Sequence, residues 1–379
     1  MTAFPAFDAS LALFGDPAAL ACEHAVTDLR AGRPVRLTCP GHDDLVVLAL
    51  DSAEPAAYGQ FAQLSDNRHQ LLLTAERARV LGLPGTAAAR LPLAGVNFDA
   101  LVPLAWQRRS DASPTPGTAG PAGALDSAAV ELARLSLLLP ALIAVDATPD
   151  DARWQAATAL PVAGLQQALA TADARYAIVA RTPVPLRDAG WSEFVVFRGG
   201  VAQRDQVAII VGKPALDGDV PVRVHSSCLT GDLFGSLKCD CGDQLRHGLA
   251  QLQEKGGGVL LYLDQEGRGT GIAAKMRAYG YQHEGLDTID ADAQLGFGAD
   301  GRRYEGAAAM LKALGITRIE LLSNNPTKAE RLAAAGITVS RRSAVTGEVT
   351  DENEQYLRTK AARAGHVLDV DALIAAAQR

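Results

Sequence analysis

Three cysteines within fourteen positions are the residues of this sequence with the clearest chemical meaning. Cys228 is followed, after ten intervening residues, by the pair Cys239 and Cys241. Thiolates bind zinc at about 2.3 Å, and a Cys-x-Cys pair can reach one ion when the backbone turns, as Gly242 allows. A structural zinc site is normally closed by a fourth protein ligand, whereas a catalytic site leaves that position for water. Three ligands therefore favour one catalytic zinc ion per chain.

Two alternatives stay open for this cluster. His225 or His247 could complete a closed structural site, or the three thiols could bind no metal. His225 could also be a core histidine or one that orients a metal ligand. The remaining cysteines, Cys22 and Cys39, stand alone in apolar surroundings and are typical of small buried side chains.

Three glycine-framed or polar loops could bind an anion. The segment 264–271 follows an apolar strand, its glycines let the backbone approach a ligand, and Arg268 could meet phosphate with two hydrogen bonds. The loop 294–304 carries Asp300 and two arginines into a helix start, which suits an anion. The segment 323–328 joins a strand end to a helix and could hold a phosphate or a base edge. The alternatives are a solvent-exposed Arg268 in the first loop, a helix cap by Asp300 with solvated arginines in the second, and a plain turn in the third.

Alternating strands and helices are predicted to position these loops. Hydrophobic periodicity in the second half predicts strands at 194–197, 206–211, 221–225, 258–263 and 318–322, and helices at 244–253, 305–314 and 327–335. In the first half it predicts helices at 17–31, 127–138 and 162–173, and strands at 34–38, 45–50 and 176–180. Pro183 and Pro185 suggest a boundary, because proline disfavours helix and sheet interiors. We therefore predict an α/β to α+β fold in two domains, 1–188 and 189–379, the second with a mixed sheet.

Composition excludes several classes of protein. The 379 residues are 48% hydrophobic and 21% charged, which is ordinary for a globular chain. A net charge of -7 argues against a nucleic-acid-binding surface. No apolar run approaches the roughly 20 residues of a membrane-spanning helix. The start, Met1 to Pro5, lacks the basic residues of a secretory signal, so a cytoplasmic protein is expected.

Taken together, the motifs resemble GTP cyclohydrolase II, the zinc enzyme that opens riboflavin biosynthesis, over about residues 193–368. The resemblance is carried by Arg-Val-His-Ser-x-Cys-Leu-Thr-Gly-Asp at 223–232, Cys-Asp-Cys-Gly at 239–242, Gln-Glu-Gly-Arg at 265–268, Arg-Ala-Tyr at 277–279, Gln-Leu-Gly-Phe at 294–297 with Asp300 and Arg302, and Asn-Asn-Pro at 324–326. It implies that GTP and water yield formate, pyrophosphate and 2,5-diamino-6-(ribosylamino)pyrimidinone 5'-phosphate. It also implies magnesium on the GTP phosphates and a homodimer.

The resemblance also implies roles for individual residues. Arg302 would attack the α-phosphorus with Asp300 as proton acceptor, although a neutral arginine is chemically demanding. Tyr279 would favour complete hydrolysis over a product that keeps the formyl group. Gln244 and Glu266 have the donor and acceptor groups that a guanine edge requires. The residues that match GTP-contacting positions are Arg223, Val224, His225, Ser226, Ser227, Gln244, Glu266, Gly267, Arg268, Thr288, Ser323 and Lys328.

Two positions depart from the family pattern. Ser227 replaces a common glutamate beside the metal cluster, and Ser323 replaces a threonine. Two other functions remain as alternatives to the GTP-opening enzyme. One is a GTP-binding regulatory protein without turnover, and the other is a paralogue that stops at the formamidopyrimidine intermediate.

The first half resembles, more faintly, a shortened 3,4-dihydroxy-2-butanone 4-phosphate synthase. The matching segments are 29–35, 73–78 and 128–135. Where that synthase carries an acid-rich loop for Mg²⁺, this chain reads Cys-Pro-Gly-His-Asp-Asp-Leu at 39–45, and its His-Thr-Glu motif appears as Leu-Asp-Ser at 125–127. Two acids cannot readily bind a divalent ion and also transfer protons. We therefore expect a scaffolding or dimerising domain without synthase activity.

Overall fold

The computed structural model describes residues 15–85, 87–109, 118–120, 122–172, 176–202, 204–216, 218–298 and 300–377. The chain divides into two compact units, Met1–Ala172 with Ala293–Phe297 and Asp173–Asp292 with Gly298–Arg379. Each unit contains its own mixed sheet, so the prediction of a two-domain mixed α/β fold is confirmed. None of the helices in the described part combines the length and the apolar character that crossing a bilayer requires.

The first unit is a six-stranded sheet with helices, in the strand order β4-β3-β5-β2-β1-β6. Its strands are β1 Val35–Thr38, β2 Asp44–Ala49, β3 Gln70–Leu73, β4 Ala89–Pro92, β5 Ala141–Ala147 and β6 Thr158–Pro161. Its helices are α1 Pro17–Arg30, α2 Pro55–Leu64, α3 Ala75–Val80, α4 Leu101–Ala105, α5 Asp126–Leu135 and α6 Val162–Ala172. The predicted helices at 17–31, 127–138 and 162–173 are therefore confirmed.

The second unit is built on a seven-stranded sheet in the order β13-β12-β10-β11-β9-β8-β7. Its strands are β7 Ala177–Leu186, β8 Gly190–Arg198, β9 Gln206–Gly212, β10 Val220–Ser226, β11 Gly257–Leu263, β12 Arg318–Leu322 and β13 Thr338–Ser343. Its helices are α7 Cys241–Glu254, α8 Ile272–His283, α9 Thr288–Gln294, α10 Glu305–Ala313, α11 Pro326–Ala334, α12 Glu354–Arg363 and α13 Val370–Ala377.

Three parallel strands at the middle of this sheet bring the predicted site loops together. β10 pairs in parallel with β11 on one side and with β12 on the other. Their carboxyl ends therefore meet at one edge of the sheet, which is where ligands bind in open α/β sheets. Ser226, Leu263 and Leu322 end these strands, and the cysteine loop, the glycine loop and the 323–328 segment follow them directly.

Two apolar layers hold the sheet and its loops in place. On one face, Val222 and Leu261 pack in the same buried cluster as Met310 of α10. In a separate buried cluster, Leu252 of α7 joins Leu322 of β12. Leu332 of α11 lies in the first cluster, so α7 and α11, which begin at the site, are both fixed by burial of their apolar sides.

The division between the units does not coincide with the predicted boundary after residue 188. β7 pairs antiparallel with β8, in the register Pro183↔Glu193 and Pro185↔Trp191, and so belongs to the second sheet. Prolines are tolerated there because β7 is an edge strand, where a missing N–H costs no ladder hydrogen bond. The chain therefore divides after Ala172, before the proline-containing segment.

Candidate active site

The three clustered cysteines lie close enough to share one metal ion. Cys228 follows β10, Cys239 lies in the next loop and Cys241 begins α7. Their sulfur atoms all lie within 4.8 Å of one another, and Cys228 Sγ is 3.7 Å from Cys239 Sγ. Tetrahedral zinc with bonds of about 2.3 Å would separate its sulfur ligands by about 3.8 Å. The spacing of the thiols therefore fits a zinc ion.

Neither candidate histidine belongs to this ligand group within the described residues. His225 Nε2 lies 3.1 Å from both carboxylate oxygens of Asp232, and Asp232 Oδ2 also accepts hydrogen bonds from Cys228 N and from the hydroxyl of Tyr262. His247 Nδ1 lies 2.6 Å from the carbonyl oxygen of Thr346. Burial lowers the pKa of His225, so its ring is neutral. The closed-site alternative thus finds no support, and His225 instead orients the carboxylate that holds the Cys228 backbone.

Gly231 packs directly against the thiols. A Cβ atom at this position would lie 3.0 Å from Cys239 Sγ, 3.1 Å from Cys228 Sγ and 3.1 Å from Cys241 Cβ. These contacts are shorter than van der Waals distance on three sides, and the ligands cannot give way without changing the ligand geometry. Glycine is therefore required by the close approach of the backbone to the three cysteines.

Gly231→Ala is expected to lower zinc affinity at least about 10-fold, the effect of disturbing groups that orient metal ligands. The measurement is a competition titration against a chromogenic chelator, with metal content by emission spectroscopy. Gly280→Ala in α8 is the matched control, because a Cβ there meets nothing within 4 Å. Wild-type zinc affinity in Gly231→Ala would contradict the assigned packing.

A lysine that the sequence analysis missed contacts the cysteine cluster. Lys275 Nζ in α8 donates hydrogen bonds to Cys228 Sγ at 3.0 Å and to Glu266 Oε1 at 2.8 Å. Hydrogen bonds from the other two thiols, together with this ammonium, lower the pKa of Cys228. The pKa of Cys241 is raised because Cys228 and Cys239 hydrogen-bond to it and burial opposes its charge. Lys275 thus places a positive charge against the thiol cluster.

The glycine loop after β11 turns sharply beside the cysteine loop. Gly267 and Arg268 have φ of 62° and 64°, so a non-glycine residue adopts the left-handed conformation here. Glu266 Oε2 accepts a hydrogen bond of 2.6 Å from Leu229 N, which connects this loop to the cysteine loop. A Cβ on Gly269 would lie 3.3 Å from the carbonyl carbon of Gly301. The second and third predicted clusters are thereby adjacent.

Arg302 and Asp300 form a half-buried ion pair. Arg302 Nε donates to Asp300 Oδ1 at 2.8 Å and to Oδ2 at 3.0 Å. Burial opposes the charge of Asp300, but the hydrogen bonds from Arg302 outweigh it and lower the pKa to about 2. Burial likewise opposes the charge of Arg302, while Tyr304 and the Asp300 pair raise its pKa. Both groups are therefore charged at neutral pH.

Basic side chains gather around the ring of Tyr304. Arg302 Cζ, Arg331 Cζ and Lys328 Nζ lie 6.0, 5.9 and 5.7 Å from its centroid. Lys328 Nζ donates to Val224 O at 2.9 Å. Burial and the charges of Arg302 and Arg223 hold the pKa of Lys328 well below its usual range.

His366 reports on the same accumulation of positive charge. Burial, together with the charges of Lys360, Arg302 and Lys328, lowers its pKa to about 3. An anionic ligand would stabilise the charged forms of basic groups that repel one another in such a region. Tyr304 and His366 carry no motif of their own, and the sequence analysis did not single them out.

Arg223 and the following strand residues present unsatisfied polar atoms to this region. Arg223 Nη2 donates to Gln244 Oε1 at 2.7 Å and Nη1 to Leu322 O at 3.0 Å, while its Nε has no partner in the described structure. Ser226 Oγ and Ser227 Oγ are also buried without a partner there. Burial lowers the pKa of Arg223 to about 10. Buried polar atoms are normally hydrogen-bonded, so these groups indicate a ligand.

The remaining predicted residues differ in how closely they join the site. Ser323 directly follows β12, and its Oγ accepts a hydrogen bond of 3.1 Å from Asn325 N. Lys238 Nζ and Lys275 Nζ each lie 5.4 Å from the ring centroid of Tyr279. Thr288 Oγ1 accepts a hydrogen bond of 3.4 Å from Gln282 Nε2, a bond that does not join it to the other predicted residues.

Comparisons with known proteins agree with this geometry. Residues 177–344 match the model of a family described as GTP cyclohydrolase II. The chain is 60% identical to GTP cyclohydrolase-2 of Xylella fastidiosa strain 9a5c over 369 residues, 97% of this chain and 92% of that protein. The chain therefore belongs to the GTP cyclohydrolase II family, and the predicted family and enzyme class are confirmed.

Two other similarities cover different parts of the chain. The chain is 44% identical over 183 residues to the riboflavin biosynthesis protein RibBA of Bacillus mycoides, which is 48% of this chain and 46% of that one. A crystal structure of RibBX, a two-domain 3,4-dihydroxy-2-butanone 4-phosphate synthase from A. baumannii, is 19% identical and covers 86% of this chain and 99% of its own, with a TM-score of 0.29.

Proposed function

We propose that this chain hydrolyses GTP to 2,5-diamino-6-(ribosylamino)pyrimidinone 5'-phosphate, formate and pyrophosphate, in riboflavin biosynthesis. The observation that carries the proposal is three thiols at zinc spacing next to a buried cluster of arginine and lysine side chains. A zinc ion held by the thiols can activate water, and the basic side chains can hold a triphosphate. The name of the RibBA relative supports the pathway.

Cys228, Cys239 and Cys241 would hold one zinc ion, which supplies a water of lowered pKa for opening the imidazole ring. Lys275 balances the charge of the thiolates through its bond to Cys228. Asp232 fixes the backbone of the same cysteine, because its carboxylate accepts from Cys228 N at 3.0 Å. These residues orient the ligands rather than react.

The triphosphate is proposed to lie against Arg223, Arg302 and Lys328, with magnesium neutralising its remaining charge. Arg302 is charged and paired with Asp300, and a carboxyl with a pKa of about 2 is a weak base. In the free chain these two residues therefore favour a charged contact with the α-phosphate. A covalent step through Arg302 would first require the pair to separate.

The guanine base is proposed to lie between Gln244 and Glu266. Each side chain retains hydrogen-bonding capacity beyond its present bonds, since an amide offers four sites and a carboxylate about four. Tyr279 lies on the same helix as Lys275, and burial raises its pKa, so its hydroxyl stays protonated. It can therefore donate a hydrogen bond to the opening ring, and we propose that the product loses its formyl group completely.

Formate release and product mass test this function. The zinc-loaded chain is incubated with GTP and Mg²⁺, formate is quantified enzymatically, and the pyrimidine product is identified by mass spectrometry. We expect equal amounts of formate, pyrophosphate and the deformylated product. A product that retains the formyl group would identify the paralogue. GTP binding with no release of formate or pyrophosphate would identify a regulatory protein.

The first unit is proposed to be a synthase-like domain without synthase chemistry. Its Asp126 is fully buried and bound by Arg90, whose Nη2 lies 2.6 Å from Asp126 Oδ1. The same guanidinium lies 2.6 Å from Asp146 Oδ2. Arginine thus binds Asp126, the acid at the position of the synthase's His-Thr-Glu motif, so this carboxylate is not free to bind a divalent ion.

Ribulose 5-phosphate is accordingly expected to remain unchanged when incubated with the chain and Mg²⁺. The readout is the absence of 3,4-dihydroxy-2-butanone 4-phosphate and of additional formate by NMR. GTP turnover in the same preparation serves as the control for intact protein. Synthase turnover above the protein-free rate would contradict the assignment.

Two further properties stay predictions: a homodimer, implied by the family resemblance, and a cytoplasmic location. Sedimentation at micromolar concentration tests the first. Fractionation of the cells that make the protein tests the second.

A further inference from the structure

The C-terminal segment from residue 345 onward lies beyond the residues matched by the family model, 177–344, yet it packs on the site. Asn324, in the Asn-Asn-Pro motif, holds this segment at two points, Val345 and Val367. Its Nδ2 donates to Val345 O at 2.6 Å, its Oδ1 accepts from Val345 N at 3.1 Å, and its carbonyl oxygen accepts from Val367 N at 2.9 Å. The segment between these anchors contains α12.

Helix α12 directs one lysine toward the cysteine loop. Lys360 Nζ lies 2.7 Å from Asp240 Oδ1, and Asp240 stands between the two ligands Cys239 and Cys241. The side chains of Lys360 and Asp240 are 16% and 2% exposed. Lys360 Nζ also lies 4.4 Å from the ring centroid of Tyr356, one turn earlier in the helix. This is a buried ion pair on an element outside the matched region.

From Asp240 the contacts continue to two residues proposed to bind GTP. Asp240 Oδ2 accepts a hydrogen bond of 2.5 Å from Gln244 Nε2, and Gln244 Oε1 accepts one of 2.7 Å from Arg223 Nη2. The carboxylate and the guanidinium together fix the orientation of the Gln244 amide, because one end must face an acceptor and the other a donor. The chain Lys360–Asp240–Gln244–Arg223 thus links α12 to the proposed base and phosphate contacts.

We propose that Lys360 is a positioning residue for the nucleotide. It holds Asp240 so that Gln244 and Arg223 present fixed hydrogen-bonding groups to the guanine edge and the phosphates. It does not touch the reacting atoms, so its contribution falls on GTP binding rather than on the chemical step. This inference rests on the proposed function and adds a residue to that same site.

Lys360→Met tests this role, with Arg358→Met as the matched control. Arg358 lies on the same helix and pairs with Glu354 and Asp371 while 42% exposed. In Lys360→Met we expect the KM for GTP to rise at least about 10-fold, with kcat within about 3-fold of wild type, the pattern of lost binding without loss of transition-state contacts. Zinc content should be unchanged. Lys360→Arg should restore most of the KM, and Arg358→Met should match wild type.

A second variant keeps the test decisive if Lys360→Met does not fold. The double variant Lys360→Met with Asp240→Asn removes both charges of this pair, so neither is left buried without its partner. It should still show the raised KM because the fixed carboxylate is gone. Loss of zinc and kcat together at unchanged KM, or a wild-type KM in the folded double variant, would overturn the proposal. Calorimetry of GTP binding to the zinc-depleted wild type distinguishes failure of the Lys360 proposal from failure of the proposed GTP hydrolysis. If wild type binds and hydrolyses GTP but the variants are unaltered, only the role of Lys360 fails, whereas both fail if wild type does neither.

Discussion

Cys239→Ser is expected to lose bound zinc and to lower formate release from GTP at least about 1,000-fold. The reason is the geometry of the cluster, in which Cys239 Sγ lies 3.7 Å from Cys228 Sγ and no described histidine can replace it. A serine hydroxyl is a harder and far less acidic ligand than a thiol, so two thiolates would remain for one ion. Metal content after gel filtration and a formate assay measure the two effects.

Cys39→Ser is the control for this variant. Cys39 is partly exposed and belongs to the first unit, whereas the three clustered thiols belong to the second unit. It should keep one zinc per chain and wild-type formate release. Full activity in Cys239→Ser, or activity without metal in the wild-type chain, would remove the basis of the zinc assignment.

Lys328→Met is expected to weaken GTP binding about 100-fold and at the same time to stabilise the protein. Lys328 is buried, its Nζ donates to Val224 O at 2.9 Å, and the nearby Arg302 and Arg223 repel its charge. Removing such a charge relieves a cost of folding, so the apparent melting temperature should rise by about 3 °C. Calorimetry on zinc-depleted protein measures the affinity, and thermal unfolding measures the stability.

The same lysine predicts the pH dependence of binding. Its pKa is well below the usual range in the free chain, and an anionic ligand would raise it again. Between those two values GTP binding takes up a proton, so affinity should fall as pH rises. Calorimetry in buffers of different ionisation enthalpy should detect this uptake in wild type and not in Lys328→Met. Lys312→Met is the control, because Lys312 is exposed and its Nζ donates to Ala335 O at 2.7 Å.

If Lys328→Met bound GTP as tightly as wild type, the buried basic cluster would not be the triphosphate site. A fall in stability would equally contradict the view that its charge opposes folding. The Lys312 variant distinguishes both results from a general effect of replacing lysine with methionine.

Local sequence patterns predicted much of the second unit. The predicted strand 318–322 coincides with β12, Arg318–Leu322, because a short apolar run stands between turn residues. The predicted helix 244–253 lies within α7, which begins earlier, at Cys241. Helix α8 was missed, although the Arg-Ala-Tyr motif lies in it, because its apolar periodicity is weak. The cysteine spacing was sufficient to predict the cluster that the structure brings together.

Long-range contacts explain what the sequence could not provide. Lys360 lies 120 positions from its partner Asp240, and Lys275 lies 47 positions from Cys228. Nothing local distinguishes these lysines from solvated ones. Only the folded chain places them beside the site. Tyr304 is a further example, since its importance comes from the cations that surround its ring.

The two outer strands of the second sheet have a consequence for self-association. At one edge of the sheet, β7 contains Pro183 and Pro185, which offer no N–H to an incoming strand. At the other edge, β13 carries the exposed Arg342, whose charge would repel a second copy of the same strand. Both edges therefore discourage fibre-like growth by strand addition. A homodimer of this chain is accordingly expected to form through helices or loops, not by extension of the sheet.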